Sequence, residues 1–217
     1  MRGKFITLEG PEGSGKSTQA KLLIDWLKKT HGIHAIYTRE PGGTALGEAI
    51  RDLLQHNAAG EAPCERAELL LFEASRNQLV EKIIKPNLAA GIWVICDRFI
   101  DSTVAYQGFA RGLPVDEVKA INEFTIAGTL PDLTLLLDLP VETGFARIAK
   151  RYAAAGESAD RFEREARSFH EKVRAGYLQL AAENPARIRI IDTAQEIQDT
   201  SAEIINTIDH VFFKQSV

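Results

Sequence analysis

The octapeptide Gly10-Pro11-Glu12-Gly13-Ser14-Gly15-Lys16-Ser17 decides how this chain is read. It follows the apolar run Phe5-Ile6-Thr7-Leu8 and opens a stretch with helical spacing from Lys16 to Thr30. Strand, glycine turn and helix form the context in which G-x-x-x-x-G-K-[ST] cradles phosphate. Glycines let successive backbone N–H groups converge on phosphate oxygens, and the helix behind them aims its positive dipole end at the same point. Residues Gly10 to Ser17, with Thr18 behind them, are therefore expected to hold a nucleoside triphosphate. Lys16 reaches the β- and γ-phosphates, and the Ser17 hydroxyl takes a place on Mg²⁺.

Outward from this loop, short apolar runs alternate with longer helical patterns. The strand candidates are Phe5–Leu8, Ile33–Thr38, Ile92–Cys96, Leu133–Asp138 and Arg187–Ile191. Between them, helical spacing runs through Ala45–Gln55, Glu65–Ala90, Asp116–Ala127 and Glu163–Glu183, with a last helix over Glu196–Phe213. Short strands joined by helical crossovers predict an α/β architecture, a five-stranded parallel sheet with helices on both faces. No repeat or Pro/Ser-rich linker interrupts the 217 residues, so residues 1–217 are expected to form a single domain.

Composition narrows the class. An apolar fraction of 45% suffices for a buried core, and a formal charge of −4 argues against a nucleic-acid polymer as partner. Local clusters of arginine can still hold anionic small molecules. The two cysteines, Cys64 and Cys96, have neither metal-ligand nor framework spacing, and Cys96 sits in an apolar run as a small buried hydrophobe. No apolar stretch approaches membrane-spanning length, so a cytoplasmic protein of a reducing compartment is expected.

In open α/β sheets, ligands gather at the carboxyl ends of strands. Thr38-Arg39-Glu40-Pro41-Gly42-Gly43, Asp97-Arg98, Asp138 and Asp192-Thr193 each follow or end a strand candidate. All fall at the edge that carries the phosphate loop. Asp97 stands where such enzymes place the acid that orients Mg²⁺, and Arg98 could clamp a phosphate with both arms of its fork. The segment from Arg147 to Arg161 gathers Arg147, Lys150, Arg151 and Arg161 around Gly156 and Ser158. A solvated helix face would account for these charges, while the glycine and serine favour a flap, about residues 147–162, that closes over a transferring phosphoryl group. Phe72 and Arg76 share a helix face four residues apart; spacing alone makes Phe72 a core residue and Arg76 its solvent-facing neighbour. Ser102, Thr103, Tyr106 and Gln107 form a polar cluster, either a helix cap and surface or the second wall of a pocket.

Assembled, these residues resemble the bacterial thymidylate kinase family over nearly the whole chain. The matching blocks are Leu8–Thr18, Thr38–Thr44, Leu71–Val80, Asp97–Gly108, Pro131–Asp138 and Asp160–Glu163. The phosphate loop is shared with many NTPases; TREPGGT together with DRF…ST.AYQG is far more specific. The resemblance implies a three-layer P-loop NTPase fold with a mobile, arginine-containing lid, transfer of the γ-phosphoryl of ATP to dTMP, Mg²⁺, and a symmetric homodimer. It implies that Phe72 stacks on thymine, that Arg76 bonds its exocyclic oxygen, and that Gln107 approaches base and sugar. Ser102 joins this pocket, Tyr106 crowds the 2′ position, and Glu12 takes the 3′-hydroxyl. Arg39 and Arg98 hold the acceptor phosphate, Asp97 and Ser17 organise the metal, and Arg147 and Asp192 flank adenine. Where some relatives have an arginine after the loop carboxylate, this chain has Gly13, so Arg151 or Arg161 of the flap supplies the catalytic cation. The rivals are a kinase for another nucleoside monophosphate and a nucleotide-driven switch or transport-type ATPase.

Overall fold

Five short strands, all parallel, form one sheet in the order β2-β3-β1-β4-β5. They are β1 (Phe5–Glu9), β2 (Ala35–Arg39), β3 (Trp93–Asp97), β4 (Leu133–Asp138) and β5 (Ile188–Asp192). The computed structural model describes residues 2–56, 58–155 and 160–214. The central strand β1 is buried at every position, as is β3, which explains their largely apolar sequence up to the carboxylates, Glu9 and Asp97, that end them: each faces helices on both sides. Helix α1 (Lys16–His31) packs with α9 (Ile197–Ile208) on one face, where Leu23, Leu27, Ile204 and Ile208 meet Ile6, Leu8, Ile95 and Leu135. On the other face Phe5, Val94, Cys96 and Phe99 meet Leu79, Val80 and Ile84, and a second cluster gathers Val104, Phe169, Val173, Tyr177 and Leu180.

Register brings the polar strand ends onto one rim. Arg39 sits opposite Asp97 and Asp138 opposite Asp192, with Leu8 opposite Asp97. The edge arrangement expected from sequence is therefore the one the sheet builds.

The remaining helices are α2 (Ala45–His56), α3 (Glu65–Leu79), α4 (Lys85–Ala89), α5 (Ile100–Thr103), α6 (Val115–Ile126), α7 (Val141–Ala155) and α8 (Arg167–Glu183). Between α3 and α4 the chain makes a wide π turn, Val80–Ile84. Pro86 explains it: a proline offers no N–H and its ring crowds the carbonyl four residues back. A second π turn, Val104–Ala110, extends α5 and carries Tyr106 and Gln107.

Two expectations need correction. Residues Arg147 to Arg151 do not belong to an irregular flap; they lie inside α7, whose alanines favour helix. Gly156 and Ser158, which suggested the flap, lie outside the described residues. Helix α8 begins at Arg167 rather than Glu163, because residues 161–164 form a turn around the buried Phe162 and Ala166 is still extended.

Candidate active site

A cavity of about 700 Å³ opens on the carboxyl rim, lined by the phosphate loop, the ends of β2 and β3, and α2, α3 and α5. On the phosphate-loop side, Lys16 is buried and its ammonium donates to the carbonyls of Gly10 (3.1 Å) and Pro11 (2.9 Å). Burial pushes Lys16 down to about 8 against the pull of Glu12 and Asp97, with Arg98 adding to the fall. The loop's tightness is visible at Gly13, in the left-handed region at φ 77°. A Cβ there would lie 2.6 Å from the Gly144 carbonyl oxygen, and one on Gly144 would lie 2.5 Å from the Glu12 carbonyl oxygen. The phosphate loop and the first turn of α7 thus touch backbone to backbone.

The Ser17 hydroxyl donates to Asp97 Oδ2 at 2.6 Å, and the Tyr37 hydroxyl reaches the same oxygen at 3.3 Å. Burial and Asp97 push the Tyr37 phenol up to about 12, so it remains a donor. Among the described residues no cluster of three or more His, Cys, Asp or Glu side chains could hold a metal. The fitting donor set is the adjacent pair Ser17 and Asp97. Two hard oxygens suit Mg²⁺, which takes few protein ligands and completes its shell with phosphate and water.

Opposite the loop stands Arg98, in the left-handed region at φ 70°, a conformation that costs a non-glycine residue about 1–2 kcal/mol. Its backbone N–H is tied to the Leu8 carbonyl (2.9 Å), which aims the side chain back over the loop. The guanidinium donates to Glu12 (2.6 Å), the Gly10 carbonyl (3.2 Å) and the Tyr177 hydroxyl (3.1 Å), and lies over the Tyr106 ring. Tyr106 in turn donates to Glu12 at 3.1 Å. Burial alone would raise the Glu12 carboxyl, yet Arg98 and Lys16 outweigh it and hold it near about 2. Beneath Arg98, the fully buried Glu9 accepts from Ser102 Oγ (2.6 Å), the Phe99 N–H (2.7 Å) and Tyr177 (3.1 Å). Burial and neighbouring Asp101 push Glu9 up to about 7. Arg39 lines the cavity while engaged in a forked pair with Glu48 at 2.8 and 2.9 Å.

At the far end, Phe72 and Phe162 face each other with ring centroids 5.7 Å apart, beside Tyr106. Arg76 is not solvent-facing, as its spacing suggested: it is 1% exposed. Its guanidinium donates to Glu40, Glu73, Asn122, Thr103 and the Phe99 carbonyl. Any further acceptor in the cavity would have to share an N–H with these. Gln107 is likewise buried, its amide nitrogen 2.8 Å from Glu68.

The two flap arginines separate. Arg151 lines the cavity, more than half exposed, and pairs with Glu163 at 2.9 Å. Arg161 does not line it: its guanidinium donates to the Leu54 carbonyl (2.8 Å) and to Glu68 (2.6 Å), drawn away by that buried carboxylate. Arg147 donates to the carbonyls of Thr193 (2.8 Å) and Gly13 (3.4 Å), bridging the loop after β5 to the phosphate loop. Asp192 is exposed at that edge and caps the Ala194 N–H. Asp138, on the same rim, is taken up by Arg174.

Several members of this constellation escaped sequence reasoning: Glu9, Tyr37, Glu68, Phe162 and Tyr177. For Glu9 and Glu68 a signal existed, since a carboxylate ending an apolar strand or lying within an apolar helix stripe must find partners. The partners themselves are 39 to 168 residues away in sequence.

Comparison with known proteins places this architecture. Residues 8–204 match the family model described as thymidylate kinase. A thymidylate kinase of Chromobacterium violaceum is 48% identical over 204 residues, covering 94% of this chain and 92% of the relative. One from Pelotomaculum thermopropionicum is 44% identical over 211 residues, covering 97% and 95%. The crystal structure of thymidylate kinase from Ehrlichia chaffeensis superposes with a TM-score of 0.76 at 35% identity, covering 96% of this chain and 99% of that one. With the phosphate loop, the Asp97-Arg98 pair and the parallel sheet already in place, the chain belongs to the thymidylate kinase family.

Proposed function

We infer that the chain transfers the γ-phosphoryl of ATP to dTMP, giving ADP and dTDP. The observation that carries this reading is one cavity with two unlike ends: the phosphate loop with Lys16 and Ser17 at one, the Phe72–Arg76–Gln107 pocket at the other, and Arg39, Arg98 and Arg151 on its walls. Family membership supplies the identity of the acceptor.

The loop N–H groups from Gly13 to Ser17, with Lys16, hold the donor phosphates. Arg39 and Arg98 neutralise the acceptor phosphate, which would otherwise repel the donor. Glu12 receives the sugar hydroxyl while keeping Arg98 in place, and Tyr106, bonded to Glu12, closes the sugar face. Phe72 stacks on the base. Arg151 reaches the transferring group from α7. The acceptor is already an anionic oxygen at neutral pH, so no strong general base is required, and alignment with charge stabilisation carries the catalysis. Ser17 and Asp97 would hold Mg²⁺, which supplies charge neutralisation at the phosphates when bound. Arg147 and the loop at Asp192 flank the adenine.

The chain acts as a single kinase domain whose lid is made of residues 147–155 in the C-terminal part of α7 and the turn at residues 160–162. Among the described residues no helix is long and apolar enough to cross a membrane, which fits a cytoplasmic enzyme. It works as a homodimer: Leu70 on α3 and Phe124 on α6 are 58% and 83% exposed on neighbouring helices, apolar surface that a second copy would cover. The deciding assay measures ADP formation against a panel of nucleoside monophosphates. The reading requires dTMP to be turned over fastest and ADP formation to be slow without an acceptor. Brisk hydrolysis without acceptor, or preference for an adenylate or uridylate, defeats it.

A further inference from the structure

Glu68 occupies an unusual place. It is 1% exposed on the inner face of α3, and four donors converge on its two oxygens. Oε1 receives Gln107 Nε2 at 2.8 Å and Arg111 Nε at 3.2 Å; Oε2 receives Arg161 at 2.6 Å and Arg111 Nη2 at 3.3 Å. A carboxylate between two guanidinium groups is purely an acceptor. The Gln107 atom that faces it must therefore be the amide nitrogen, whichever way the amide is first drawn. Gln107 is 2% exposed and lines the cavity, and among the described residues no donor reaches its Oε1. The carbonyl oxygen is thus the end of the amide left for a ligand.

We propose that Glu68 is a specificity-determining residue: by holding the Gln107 amide in one orientation, it makes the pocket accept a hydrogen from the base and so select an imide N–H. This rests on the dTMP reading above and deepens it. Thymine carries a hydrogen on N3 and a carbonyl at C4. Cytosine carries a lone pair on N3 and an amino group at C4. A fixed carbonyl oxygen accepts from the first and faces the second lone pair to lone pair. A free Gln107 could turn over and donate to cytosine, because an amide presents a donor and an acceptor at almost the same distance. The cost of meeting a mismatched polar group in a dry pocket is what separates such substrates. The same carboxylate ties down Arg161, next to Phe162, whose ring faces Phe72. Base selection and docking of the lid's far arm therefore share one anchor.

The test compares kcat/KM for dTMP with that for dCMP. Glu68→Gln keeps the volume but can donate or accept, so Gln107 is no longer forced. The dTMP:dCMP ratio should fall on the order of tenfold, chiefly through better use of dCMP, with KM for ATP unmoved. In a Gln107→Leu background the same substitution should leave the ratio unchanged, an outcome that a merely structural role for Glu68 does not produce. Should Glu68→Gln fail to fold, Glu68→Asp keeps the charge between the arginines while withdrawing it from Gln107, and the ratio should fall likewise. An unchanged ratio in the folded single variant, or an equal fall in both backgrounds, overturns the proposal while leaving the kinase reading intact. Failure of the unmodified chain to phosphorylate dTMP defeats the kinase reading itself, and this inference with it.

Discussion

Replacing Glu12 by Gln should destabilise the protein at neutral pH and make it less sensitive to acid. The carboxylate moves from an ordinary 4.5 to about 2 in the fold, chiefly because Arg98 and Lys16 outweigh the effect of burial. That depression corresponds to about 3 kcal/mol of folding free energy. Some 24% of the side chain remains exposed, so solvent screening brings the expected figure to about 2 kcal/mol. Because the folded value is depressed, the stabilisation is fully present above pH 4.5 and is lost as pH falls toward 2. Glutamine keeps the shape and can still accept from Arg98 and Tyr106, but it removes the cation's nearest countercharge. Urea unfolding at pH 7 should show the variant weaker by about 2 kcal/mol, with a melting temperature lower by about 4 to 8 °C. The gap should narrow steadily between pH 4.5 and pH 3. A gap below about 0.5 kcal/mol at pH 7, the range of ordinary surface changes, or one that does not shrink in acid, refutes the electrostatic account.

Other outcomes follow from the same geometry. Lys16, lowered to about 8 by burial, should lose its proton as pH rises, so KM for ATP should climb above pH 8; Lys16→Arg should move that limb upward, and Lys16→Ala should cut turnover on the order of 10²-fold. A flat alkaline limb, or near-normal turnover in Lys16→Ala, removes Lys16 from donor binding. Arg151→Ala should lower kcat at least tenfold, given the size of charge-stabilising effects, whereas Arg161→Ala should act mainly on stability and KM for dTMP; single-turnover rates of both variants separate the roles, and the reverse order contradicts the geometry. Gly144→Ala must push backbone apart at the Glu12 carbonyl, so it should raise KM for ATP and lower the melting temperature; an unaltered KM for ATP would show that the contact does not set the loop.

The sheet and its order of elements were legible because β1, β3 and β4 are buried on both faces and so read mostly apolar, each closing on a carboxylate. The phosphate loop was legible because its glycines answer a local backbone need. Arg76 was misjudged as solvent-facing because its partners, Glu40 and Asn122, lie 36 and 46 residues away, and helical spacing carries no information about them. The α7 error has a different origin. The cations of Arg147, Lys150 and Arg151 suggested mobile function, but a helix surface tolerates them equally well, and the alanines that follow favour helix. Arg151 and Arg161 could not be ranked from sequence, since the buried carboxylate that captures one of them is in a distant helix.

The bare contact between Gly13 and Gly144 leaves no side chain to act as a cushion. Displacement of α7's first turn by even half an ångström must be taken up by the peptide units around Gly13, and the Arg147 link to the Gly13 carbonyl couples the same two parts again. Since α7 also carries Arg151, the glycine contact fixes where that cation stands relative to the phosphate loop.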